Sequence, residues 1–123
     1  MSLERFLVSQ QEWSQATFGT KEVRGPLGPL DHLKKEIEET IIEAQNIAFS
    51  YSLLSFKGNK LAHEALLEEL VDCFFLIMDA VWRAGFTQEQ FEAALWEKLR
   101  INRERKWPPL NEQDPTKAAE HER

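Results

Sequence analysis

Apolar residues recur at helical spacing in four stretches, and glycine- or proline-bearing segments separate them. Phe6, Leu7, Trp13 and Phe18 stand in a polar background and predict a first helix over 3–18, ended by Gly19. Residues 19–30 hold three of the five glycines and two of the five prolines and predict a loop, with Asp31 as N-cap of the next helix. In that second helix Leu33, Ile37, Ile41, Ala44 and Ala48 form the apolar stripe out to about residue 56. Lys57-Gly58-Asn59 breaks the pattern. A third helix follows to Ala84, with Gly85 just beyond it. Its apolar residues, from Leu66 through Val71, Phe75 and Met78 to Trp82, occupy nearly the whole circumference, which predicts burial. Thr87 with Gln90 reads as a capping box opening a fourth helix that ends before Pro108-Pro109. No alternation long enough for a strand and no repeat period is found. The fold class is all-α: a domain over 1–110 with four main helices, then a polar, loosely held tail over 111–123.

At 123 residues the chain makes one domain with a modest core. The second and third helices are long, and the third is apolar around too much of its surface for short neighbours to cover, so a homo-oligomer is expected. A net charge of −6 argues against binding a nucleic-acid polymer. The lone Cys73 excludes a disulfide framework and reads as a buried thiol. No stretch approaches the roughly 18 apolar residues of a membrane span, and the start Met-Ser-Leu-Glu-Arg lacks a signal peptide's apolar region. The reading is a cytoplasmic protein with no membrane partner.

The chemistry lies in two carboxylate pairs. Glu36 with Glu39, and Glu69 with Asp72, each share one helix face through their three-residue step. Glu69, Asp72 and Asp79 interrupt the third helix along one line, so acid falls where core is expected. Two unit charges about 4 Å apart repel by roughly 4 kcal/mol at an effective dielectric near 20, so such a cluster needs cations or protons. Oxygen ligands without a cysteine or histidine set favour Mg²⁺ or Mn²⁺, and Mg²⁺ is commonly held by a few carboxylates together with substrate phosphates. On the fourth helix Lys98, Asn102 and Arg105 or Lys106 form a row fit to grip a polyphosphate. The alternative for those cations is a solvated helix C-terminus. Asp79 has two readings, a further metal ligand or a buried partner for Arg83 at i+4.

The order Glu36-x-x-Glu39, helical spacer, Glu69-x-x-Asp72, Lys98-x-x-x-Asn102 resembles the MazG-like, all-α nucleoside triphosphate pyrophosphohydrolase superfamily, which includes dimeric dUTPases. Trp13-Ser-x-x-Thr17-Phe18-Gly19, Gly28-Pro-Leu-Asp-His32-Leu-x-Lys35-Glu36, Ala80-x-Trp82-Arg83-Ala84-Gly85 and Asn102-x-x-x-x-Trp107-Pro108 are similar to one branch, the phage and bacterial dATP/dGTP diphosphohydrolases. Some of that branch serve phages that replace adenine with 2-aminoadenine. The ending from Lys117 to Arg123 is also similar, so the resemblance covers nearly the whole chain. Two departures are present. Lys35 stands where many superfamily members have the first of two adjacent glutamates, so that acid's role is not carried over. The stretch between Glu39 and Glu69 is also longer than the branch leads one to expect.

The resemblance implies a MazG-like bundle completed by a homodimer or homotetramer, and hydrolysis of dGTP or dATP to monophosphate and pyrophosphate. It implies that Glu36, Glu39, Glu69 and Asp72 hold two or three Mg²⁺ or Mn²⁺ ions and carry catalysis, one glutamate acting as base. Lys98, Asn102 and Arg105 then bind the phosphates. His32 is either a phosphate- or carboxylate-positioning group or a surface residue. Trp13 and Phe18 either stack on the base or belong to the core. Supply of dGMP for modified phage DNA, in the host cytoplasm, is the furthest implication. The alternatives are a dUTPase-like or house-cleaning pyrophosphatase and a non-enzymatic helical module. A ferritin-like di-metal oxidase lacks its Glu-x-x-His motifs here.

Overall fold

The computed structural model describes the backbone of residues 2–53 and 56–122 and the side chains of those residues outside 48–60. Four α-helices follow one another, α1 Leu3–Phe18, α2 Leu27–Leu53, α3 Phe56–Arg83 and α4 Gln88–Glu104, then a 3₁₀ turn Leu110–Glu112. No strand occurs among the described residues. They form two compact units, Met1–Thr87 and Gln88–Arg123.

Local chemistry accounts for the helix ends. Ser2 caps α1 by accepting from the Arg5 amide at 3.2 Å. Gly19 ends α1 at φ +96°, a conformation open to glycine. At the end of α3 the Gly85 amide donates to the Trp82 carbonyl and the Phe86 amide to Val81, a Schellman pair with Gly85 at φ +92°.

Two boundaries differ from the sequence reading. Helix α2 begins at Leu27, not after Asp31, so Asp31 lies inside the helix and caps nothing. Gly28 and Pro29 resembled loop residues but occupy the first turn, where proline's missing N–H has no helical acceptor to lose. Likewise α3 starts at Phe56, so Lys57, Gly58 and Asn59 are helical, while residues 54–55 lie outside the described residues.

In the first unit α3 packs along α2 and against α1. Leu7, Ile47, Met78, Ala80 and Trp82 form its buried apolar core. Phe6 meets Phe75 edge-on at 5.4 Å. The burial predicted for α3 is incomplete within one chain: Leu67, Leu70, Val71, Phe74 and Ile77 are exposed, as are Ile37 and Ile41 of α2. Two neighbouring helices cover only part of an all-round apolar surface. Cys73 is accordingly half-buried, its Sγ 3.4 Å from the Thr40 hydroxyl.

In the second unit the tail turns back on the segment that follows α4. The Glu122 amide donates to the Lys106 carbonyl at 2.7 Å, and His121 meets the Trp107 ring edge-on at 5.5 Å.

Candidate metal and nucleotide site

Helix α2 brings Glu36 against the Glu69–Asp72 face of α3, and one carboxylate oxygen from each of the three lies within 4.8 Å of the others. Glu36 and Glu69 are half-buried, whereas Asp72 is exposed, contrary to the expectation that the acids of α3 are buried. Glu69 Oε2 is buried and has no hydrogen-bond partner. Burial above all, then the facing Glu36 carboxyl, which favours a shared proton, and the charges of Glu36, Glu39 and Asp72 push the Glu69 carboxyl above its ordinary range. Glu39 thus acts on Glu69 through its charge but is not one of the three converging carboxylates. The Thr40 hydroxyl donates to the Glu36 carbonyl at 2.6 Å, and His32 Nε2 stands 3.1 Å from Glu36 Oε1.

Three oxygen donors with one buried oxygen unpartnered fit a hard divalent cation, which would supply the missing positive partner. Glu36 and Asp72 also line a cleft of about 430 Å³, walled by Trp13, Phe18 and Phe75. That falls within the roughly 300–1,000 Å³ of small-molecule sites. Trp13 is 53% exposed, so one side of its indole remains accessible, while Phe18 and Phe75 brace it edge-on at 5.6 and 6.4 Å. A second cleft of about 400 Å³ adjoins the first, sharing Phe18, His32, Leu76 and Asp79 with it.

Asp79 stands outside the acidic cluster. Its Oδ2 accepts from Arg83 Nε at 2.9 Å and its Oδ1 accepts from the Ser14 hydroxyl, so of its two sequence readings the arginine partnership is the one formed. Gln10 and Ser14 line the first cleft and were not singled out as site residues. Gln10 accepts from the Trp82 indole at 2.7 Å. Their signal is positional: Leu7, Gln10 and Ser14 follow i, i+3, i+7, which puts two polar residues on the buried stripe of α1.

Lys98, Asn102 and Arg105 belong to the second unit. There Arg105 donates to Asn102 Oδ1 at 3.1 Å, and the Trp107 indole donates to the Asn102 carbonyl at 2.7 Å. Arg100 is taken up by Glu97 and Glu104 at 2.6 and 2.8 Å, the surface role open to these cations.

Among the described residues the fold is all-helical, and two of its helices converge three carboxylates beside an aromatic-walled cleft. The comparison with known families is specific. The profile of the dATP/dGTP pyrophosphohydrolases matches residues 61–123, just over half of the 123-residue chain, and the chain belongs to this family, within the MazG-like branch. Comparison with curated proteins and with solved structures gives no match.

Proposed function

We propose that the protein hydrolyses purine deoxynucleoside triphosphates, dGTP and dATP, to the monophosphate and pyrophosphate in a Mg²⁺- or Mn²⁺-dependent reaction. The observation that carries this reading is the convergence of Glu36, Glu69 and Asp72, with Glu69 Oε2 unpartnered, at a nucleotide-sized cleft in a chain of this family. These three carboxylates would hold the cation, with Glu39 adding negative charge beside them. When bound, the cation neutralises phosphate charge and lowers the pKa of the attacking water. A glutamate of the set takes that water's proton. Water adds to the α- or the β-phosphorus, the anhydride bond between those two phosphates breaks, and the monophosphate and pyrophosphate separate.

Trp13 and Phe18 offer the base an aromatic face, and His32 orients Glu36. Lys98, Asn102 and Arg105 are assigned to the triphosphate. The apolar residues left exposed on α2 and α3 support a homodimer or homotetramer. Provision of dGMP for modified phage DNA is the furthest extension of the proposal.

The test is pyrophosphate release with Mg²⁺ or Mn²⁺ across the four dNTPs, dUTP and the four rNTPs, with Glu69→Gln as blank. Release from dGTP and dATP, abolished in the variant, is the expected result. Release from dUTP or dCTP alone moves the substrate to the dUTPase-like alternative, and no release from any nucleotide overturns the enzymatic reading.

A further inference from the structure

The wall between the two clefts depends on a side chain that the proposed chemistry leaves unused. Arg83 has a side chain only 3% exposed. A guanidinium carries five N–H donors, and here each one has an acceptor. Nε donates to Asp79 Oδ2 at 2.9 Å. Nη1 donates to the carbonyls of Gly19 and Arg24 at 2.9 and 3.2 Å. Nη2 donates to the carbonyl and hydroxyl oxygens of Ser14 at 3.4 and 3.0 Å.

The two carbonyls on Nη1 bracket a single turn, closed by the Val23 and Arg24 amides on the Thr20 carbonyl, both at 3.0 Å. One nitrogen therefore holds both ends of the connection between α1 and α2. Phe18, immediately before that turn, lines both clefts, and residues 24–29, at and after its end, line the second. A helix-borne group on α3 thus fixes the connection that carries Phe18 at one end and one side of the second cleft at the other. No metal-directed carboxylate takes part in the network.

We propose that Arg83 is a positioning residue which, through Phe18 at the start of the connection it holds, sets the width of the cleft receiving the nucleobase, and so governs the KM for nucleotide rather than the chemical step. The inference rests on the proposed pyrophosphohydrolase function. Its physical basis is the short range of stacking: a loop free to drift by about 1 Å forfeits a large part of the contact with a flat ring. Lysine at this position keeps the charge but presents a single ammonium with three donors, and cannot reproduce the planar fork that reaches both loop carbonyls and α1 together.

The experiment compares wild type and Arg83→Lys by steady-state kinetics with dGTP and by Mn²⁺ titration without nucleotide. Arg83→Lys is expected to raise KM by about tenfold, the worth of roughly one or two net hydrogen bonds, with kcat within about twofold of wild type and Mn²⁺ affinity unchanged. An unchanged KM, or a loss confined to kcat or to metal affinity, overturns the inference while leaving the proposed function intact if wild type is active. An inactive wild type overturns both. If Arg83→Lys loses its helical circular dichroism, hydrogen exchange on wild type decides instead. An α,β-methylene analogue of dGTP must protect amides within residues 19–29, and absence of that protection overturns the inference.

Discussion

Removing the proton from Glu69 places negative charge where burial, the facing Glu36 carboxyl and the charges of Glu39 and Asp72 all oppose it. The folded carboxyl therefore holds its proton more tightly than the unfolded one, whose ordinary value is 4.5. The stability this confers on the metal-free protein is fully present below that value and is lost as pH rises through the higher folded value. Accordingly Glu69→Gln should raise the metal-free melting temperature near neutral pH, with the advantage disappearing below the unfolded value, while Mn²⁺ binding weakens. Thermal melts across pH, with and without Mn²⁺, check both signs. Protons and cation compete for the same carboxyl, so wild-type Mn²⁺ affinity should fall as pH falls, with proton release on binding visible by calorimetry in two buffers. Trp13→Ala should raise the KM for dGTP by about tenfold or more, since stacking is worth roughly 1–3 kcal/mol per base. The i, i+3 step made Glu69 and Asp72 legible as a pair. Of the five acceptors of Arg83 only Asp79, from which Arg83 stands at i+4, was legible; the other four lie 59 to 69 residues away in the chain.

At the level of the elements, α1 lies where its apolar spacing places it, and α3 stops at the glycine the pattern identified. The start of α2 was misplaced because glycine and proline weaken a helix interior but cost little in the first turn, whose amides lack helical partners anyway. Gly85 has the opposite character, since its φ of +92° admits few other residues. Gly85→Ala is expected to cost about 1–2 kcal/mol by denaturant unfolding, with no change of m-value. Apolar periodicity is likewise silent about the tail, whose return to Lys106 is made by a backbone hydrogen bond.

For the whole molecule, the apolar residues left open on α2 and α3 set the next expectation. Ile37, Ile41, Leu67, Leu70 and Ile77 are between 43% and 61% exposed, and scattered surface hydrophobics seldom follow two packed helices in this way. Analytical ultracentrifugation should find a dimer or tetramer, and the pair of changes Ile41→Glu and Leu67→Glu should shift it towards monomer. A monomeric wild type would refute the assembly. No helix among the described residues is long and apolar enough to cross a membrane. By itself the sequence determined the all-α class, the helix count and the acids that share a face, because helical periodicity and residue chemistry are local. Only the tertiary structure decided that Glu36 meets Glu69 and Asp72, and that Gln10 and Ser14 line the cleft. Those pairings depend on the rotation and registry with which α1, α2 and α3 pack, and that is fixed by contacts between residues far apart in the chain.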